Sequence, residues 1–122
     1  MLAVGVDLIE VNRIAASLEK YGQRFLDRIF TVREQEYCDG RAESLAARFA
    51  AKEAVAKAMG TGIGDISWQD IEIINEDNGR PTLVLHGAAL AMAQGIGLER
   101  WSVSLSHTQT HAIAMVAAEN TI

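Results

Sequence analysis

The chain has 122 residues, 49% of them hydrophobic and 22% charged, and a formal net charge of −5. That length holds one domain with one core, residues 1–122, and not two. No apolar run approaches the ~20 residues of a membrane span, the acidic balance argues against generic nucleic-acid binding, and the single cysteine, Cys38, rules out an internal disulfide and points to a reducing compartment, by default the cytoplasm.

Residues 2–10 alternate and are partly β-branched (Val4, Val6, Ile9), which predicts a strand with Asp7 and Glu10 near its end. No basic region precedes it and a charge follows early, so it reads as a first strand and not as a signal peptide. Asn12 is placed to cap a helix with Ile14, Leu18 and Tyr21 on its apolar stripe, ended by Gly22. Arg24 to Phe30 reads as a short helix with Phe25 and Ile29 inward. Thr31-Val32-Arg33-Glu34 matches a capping box and opens a helix through about Cys38, with Gly40 as its stop. A long helix is predicted from Glu43 to Met59, closed by Gly60, with residues 61–67 as loop.

Asp70-Ile71-Glu72-Ile73-Ile74 alternates like a half-buried strand, and Glu76-Asp77-Asn78-Gly79 is a hairpin turn because Asn-Gly tolerates positive φ. Pro81 opens the next strand, where a missing donor is tolerated. Ala88 to Ile96 reads as a small-residue helix packed closely on a sheet. Trp101 to His107 and Ala112 to Ala118 alternate and pair as a hairpin through Thr108-Gln109-Thr110. The order strand, helices, hairpin, helix, hairpin is that of an α+β fold with a mainly antiparallel sheet and a long packed helix.

The charges are unevenly spread. Residues 1–60 hold nine Lys/Arg and nine Asp/Glu, whereas residues 61–122 hold two and seven. The arginines of the first half, Arg13, Arg24, Arg28, Arg33, Arg41 and Arg48, form either solvated helix faces or a local docking patch for an acidic protein or a phosphate. There is no Walker loop, no Gly-x-Gly-x-x-Gly after a strand, no Gly-x-Ser-x-Gly elbow and no zinc spacing among His86, His107 and His111. Cys38 has nothing local to lower its pKa and is a poor nucleophile.

What remains is the long helix. Phe49, Glu53 and Lys57 are spaced i, i+4, i+8, so an aromatic, an anion and a cation share one stripe just before Gly60-Thr61-Gly62. Asp7 in an apolar strand and Glu53 among alanines are carboxylates in surroundings that read as buried. A buried carboxylate must be paired, protonated or metal-bound. Two of them sharing a hard cation suit magnesium, which leaves its other positions for water and phosphate. The alternative is structural, with Asp7 paired to an arginine and Glu53 to Lys57. The glycines are equally consistent with a plain helix cap.

Six blocks, in order and spacing, carry a resemblance. They are Gly5-Val6-Asp7-Leu8-Ile9-Glu10, Arg28-Ile29-Phe30-Thr31, Ala47 to Ala54 continued by Lys57-Ala58-Met59-Gly60-Thr61-Gly62-Ile63, Asp70-Ile71-Glu72-Ile73, Asn78-Gly79-Arg80-Pro81 and Val103-Ser104-Leu105-Ser106-His107. Nearly end to end, the chain resembles the holo-[acyl-carrier-protein] synthase family of small bacterial 4′-phosphopantetheinyl transferases; Met59 is a mild variation where an aromatic or leucine is common. The resemblance implies transfer of 4′-phosphopantetheine from coenzyme A to a serine of apo-acyl carrier protein, with release of adenosine 3′,5′-bisphosphate, in support of fatty acid biosynthesis. It implies magnesium held by Asp7 and Glu53, and a homotrimer in which Asp7 and the coenzyme-binding helix come from different chains. Lys57 is then a phosphate-binding cation, and Glu53 or a metal-bound water takes the serine proton. Gly60, Thr61 and Gly62 offer amides and a hydroxyl to the coenzyme, Phe49 walls the site, and Ser106 and His107 are weaker coenzyme contacts. Acyl carrier proteins are strongly acidic, so Arg13, Arg24 and Arg28 become docking residues. A rival reading is a non-catalytic module that binds coenzyme A or a nucleotide.

Overall fold

The protein is described by a computed structural model covering residues 1–120. Strand β1 (Leu2–Glu10) is followed by helices α1 (Val11–Tyr21), α2 (Gln23–Ile29), α3 (Val32–Cys38) and α4 (Ala42–Ala58). A 3-10 turn at Trp68–Asp70 leads into β2 (Ile71–Asn75) and β3 (Pro81–Leu85), then α5 (Gly87–Gly95), β4 (Arg100–His107) and β5 (His111–Glu119). The strands form two antiparallel sheets, one ordered β1-β5-β4 and the other the β2-β3 hairpin. Both predicted hairpins are present. The N-terminal strand closes the larger sheet by pairing with the C-terminal one, Asp7 opposite Ala114 and Ile9 opposite Ala112.

Helix α4 is the spine. Its alanines Ala47, Ala50, Ala51 and Ala54 are buried, as are Ala112, Ala114, Val116 and Ala118 of β5, so helix and sheet approach with almost nothing between them. Gly5 is where this approach is tightest: a Cβ there would lie 2.0 Å from the carbonyl oxygen of Ala54. Backbone atoms on both sides leave no soft group to move aside. Gly5→Ala is therefore expected to destabilise the fold by about 3 kcal/mol, the upper end of ordinary overpacking costs, measured as a lower midpoint in urea. A midpoint within error of the parent protein would show that β1 does not rest on α4 as described. Two clusters of larger side chains flank the spine, one around Ile9, Ile14, Phe30, Leu45 and Ile73, the other around Val55, Ile66, Ile71, Leu98 and Val116.

Two helix boundaries differ from the sequence expectation. β1 runs into α1 without a turn, so Glu10 is the N-cap and Asn12 lies inside the first turn instead of capping it. The free amide of Val11 is satisfied from far away, by the carbonyl of Thr110 at 2.9 Å. Helix α3 ends at Cys38 as expected, but its cap is Asp39, whose left-handed φ of 48° takes the role expected of Gly40. The Thr31–Glu34 capping box forms as predicted.

The sheet's two faces are unequal. One packs on α4. The other exposes Leu2, Val4, Val6 and Leu8 of β1 beside Ile113 and Met115 of β5, with Ser102, Ser104 and Ser106 of β4 in the same rows. Among the described residues no helix is long and apolar enough to cross a membrane.

Candidate active site

Asp7 points from β1 toward α4, as do Gly5 and Ile9 by strand alternation. Glu53 and Lys57 stand one turn apart on α4. The Lys57 ammonium donates to Asp7 Oδ1 at 2.9 Å and to the Val6 carbonyl at 3.1 Å. Its side chain is 54% exposed, against 18% for Asp7. Glu53 is partly buried, and its pKa is pushed up, first by burial and then by the negative charge of Asp7, with Lys57 acting in the opposite direction. The two carboxylates thus sense each other across the β1–α4 seam, and a single ammonium stands against two acids. The structural alternative, Asp7 with an arginine and Glu53 with Lys57, is not what forms: Lys57 pairs with Asp7. Asp7, Glu53 and Lys57 also meet within one chain, against the expectation that Asp7 and the helix come from different subunits. Gly5 makes this meeting possible by letting β1 lie on the backbone of α4.

The donors at the seam are all hard oxygen: the Asp7 carboxylate and the Val6 carbonyl hold the Lys57 ammonium, and the Glu53 carboxylate is near enough to feel the charges of both Asp7 and Lys57. No group of three or more His, Cys, Asp or Glu fit to hold a metal exists among the described residues. A site of this kind fits magnesium, which accepts one or two carboxylates and completes its shell with water and phosphate, and does not fit zinc.

One turn before Glu53, Phe49 is stacked on Trp68, ring centroids 4.8 Å apart and planes at 28°. Trp68 also lines a cleft of about 490 Å³ with Tyr21, Arg24, Phe25 and Arg28. Two of the three arginines named for docking therefore share one cleft, while Arg13 is exposed on the first turn of α1. The glycine loop behaves as a helix cap. Gly60 has φ 75°, its amide donates to the Lys57 carbonyl, and the Thr61 amide donates to the Ala56 carbonyl. Those two amides close α4 and are not offered outward as expected. The Thr61 hydroxyl lies 3.3 Å from the Gly62 carbonyl and 3.4 Å from Asp65.

Ser106 and His107 do not join this cluster within the chain. Ser106 faces the outer side of the sheet, opposite Ile113. His107 lines a separate cleft of about 190 Å³ with Tyr37, Arg48, Asn75 and Pro81. Arg48 is 4% exposed, so it is not one of the solvated helix arginines. Its guanidinium donates to the Ser44 carbonyl at 3.0 Å and to Asn75 Oδ1 at 2.7 Å, and lies 4.6 Å from the Tyr37 ring centroid. Its Nε has no partner. A buried cation held by neutral acceptors retains its full charge for an anion. Position in the chain gave no sign of this, because Asn75 lies 27 residues away. Cys38 is buried, and burial pushes its thiol up to about 11, which removes it from nucleophilic chemistry at neutral pH.

A family profile described as the 4′-phosphopantetheinyl transferase superfamily matches residues 3–116. The holo-[acyl-carrier-protein] synthases of Koribacter versatilis and Dehalococcoides mccartyi are each 49% identical to the chain, over 98% of its length and 99% and 100% of theirs. The crystal structure of the Helicobacter pylori holo-[acyl-carrier-protein] synthase in complex with coenzyme A is similar at a TM-score of 0.87 and 30% identity, covering 95% of this chain and 99% of that one. A Bacillus anthracis holo-(acyl-carrier-protein) synthase in complex with CoA (3′,5′-ADP) gives a TM-score of 0.79 at 38% identity, covering 98% and 96%. Matched along nearly its whole length in both sequence and fold, the chain belongs to the holo-[acyl-carrier-protein] synthase family of the 4′-phosphopantetheinyl transferase superfamily.

Proposed function

We propose that the protein transfers the 4′-phosphopantetheine group of coenzyme A to a serine of apo-acyl carrier protein, with magnesium held by Asp7 and Glu53, and so serves fatty acid biosynthesis in the cytoplasm. The observation that carries this reading is the Asp7–Glu53–Lys57 cluster at the β1–α4 seam. Bound there, magnesium would supply charge stabilisation to the pyrophosphate as its P–O bond breaks. Lys57 reaches a phosphate oxygen as a point charge on a flexible stem. The serine oxygen attacks the phosphorus next to the pantetheine, adenosine 3′,5′-bisphosphate leaves, and Glu53 takes the serine proton. The Phe49–Trp68 stack walls one side against water. Arg48 and His107, which line their own cleft, would meet a further anionic group of the coenzyme.

The exposed apolar outer face of β1 and β5 supports a homotrimer in which this face is buried. A ligand that touches both clefts would then bridge neighbouring copies. The test of the function is direct: purified protein, magnesium and coenzyme A should convert an apo-acyl carrier protein to a species heavier by one phosphopantetheine in a mass spectrum. An unshifted carrier at saturating magnesium, with a carrier competent toward a known synthase, would leave only the non-catalytic binding module.

Arg13, Arg24 and Arg28 would dock the acidic carrier. Arg24→Ala and Arg13→Ala are expected to raise the carrier's KM by about 5- to 30-fold each, the scale of 1–2 kcal/mol. They should also flatten its dependence on salt while leaving the KM for coenzyme A unchanged. Equal damage to both substrates would contradict a docking role.

A further inference from the structure

Lys57 has two hydrogen bonds among the described residues, and both go to β1: one to Asp7 Oδ1 at 2.9 Å, the other to the Val6 carbonyl at 3.1 Å. Neither partner is on its own helix. The ammonium thus sits on the carboxylate that the proposed function assigns to the metal, and it approaches within 2.9 Å of one of that carboxylate's oxygens. A divalent cation shared by Asp7 and Glu53 would place two positive charges on the same carboxylate as the ammonium, at a separation where like charges repel strongly. The side chain that would have to give way is the mobile one. Lys57 is 54% exposed and its four-carbon stem can swing outward, whereas Asp7 is fixed in the strand and 18% exposed.

We propose, on the footing of the function given above, that Lys57 is an exchangeable counter-ion: it neutralises Asp7 in the metal-free enzyme, is released when the divalent cation arrives, and only then becomes available to the coenzyme's phosphate. One side chain thereby couples two binding events. The cation must displace the ammonium from Asp7, and the displaced ammonium strengthens phosphate binding. By linkage, the coenzyme must favour metal binding by the same factor.

The test measures metal binding without turnover. Manganese is titrated into coenzyme-free protein and the free ion is followed by electron paramagnetic resonance, with magnesium calorimetry as a second probe. Lys57→Met removes the ammonium and keeps the stem; at an exposed position it should fold as the parent does, checked by circular dichroism. Lys57→Met is expected to bind the metal about 10-fold more tightly than the parent protein, and Lys57→Arg no more tightly than the parent. In an Asp7→Asn background, Lys57→Met should bring no gain. The factor by which metal strengthens coenzyme A binding should fall in Lys57→Met. Unchanged or weaker metal affinity in Lys57→Met, or an equal gain in the Asp7→Asn background, overturns the counter-ion role. Failure of the underlying reading looks different: if Glu53→Gln binds the metal as well as the parent, the metal site itself lies elsewhere.

Discussion

Glu53→Gln is expected to lower the kcat/KM for phosphopantetheine transfer by about 10³-fold or more, the scale of losing one charge-stabilising group, while the variant melts at or above the temperature of the parent protein. The two halves of this expectation have one cause. Glu53 is partly buried among alanines of α4, and its pKa is raised by burial and by Asp7. An acid whose pKa is raised on folding favours the fold while protonated. That contribution is fully present below the ordinary carboxylate pKa of about 4.3 and is lost as pH rises through the raised value. At neutral pH the ionised group therefore opposes folding, and a neutral amide of the same shape removes the opposition. The difference in melting temperature between variant and parent should be near zero at about pH 4, open in favour of the variant as pH rises through the raised pKa, and level off above it. Thermal melts across that range, run beside the transfer assay, decide the matter. A variant that is inactive because it melts well below the parent would remove the functional reading of this residue. Near-normal turnover in a stable variant would remove it from the metal site.

The parts of this site that were legible in the sequence are those set by local spacing. The i, i+4 spacing of Glu53 and Lys57 placed them on one stripe, and the isolated acid in an apolar strand marked Asp7 as their partner. Gly5 is the physical reason the three meet, and nothing local to Gly5 announces this, since the atom it makes room for is the carbonyl of Ala54. The same limit explains the other differences. Asn12 was reasonable as a cap, but the Thr110 carbonyl, brought back by β5 pairing with β1, had already satisfied the first amide of α1. Ser106 and His107 are neighbours in sequence and part company in the sheet, because side chains alternate between faces. Gly60-Thr61-Gly62 was readable as a phosphate loop or as a helix cap. In the fold the amides of Gly60 and Thr61 return to the helix as a cap. Long-range partners also hid Arg48, whose burial depends on Asn75 and Tyr37.

Lys52 is the clearest case of such a partner, and its removal should cause the largest loss of stability. The residue before Glu53 has no local signal in the sequence, because its partner Glu34 lies 18 residues away. In the fold both Lys52 and Glu34 have side chains 0% exposed, with Nζ and Oε1 2.8 Å apart. The ammonium also donates to the carbonyls of Trp68, at 3.1 Å, and of Ile71. Glu34 accepts from the amides of Thr31 and Ile73, each at 2.9 Å, so the same carboxylate caps α3, holds β2 and neutralises α4. Burial pushes the pKa of Lys52 down and the Glu34 charge pulls it back up, which is the balance a buried pair needs to remain ionised. Lys52→Met leaves a buried carboxylate without its cation and two carbonyls without a donor. The expected cost is about 3–5 kcal/mol, a large share of the roughly 5–15 kcal/mol that stabilises a domain. Urea denaturation would read it directly. Adding Glu34→Gln should recover part of the loss, since the stranded charge goes with it, and the two single changes should fall short of additivity by about 0.5–3 kcal/mol. If Lys52→Met costs under 1 kcal/mol, the pair is no more than a surface contact. The consequence for catalysis separates Lys52 from its neighbour. Lys52 touches neither carboxylate of the seam, but through Trp68 it anchors the ring on which Phe49 stacks. The fraction of Lys52→Met that remains folded at low temperature should therefore keep a kcat within a few-fold of the parent, while Glu53→Gln, one residue along the same helix, is folded and inactive.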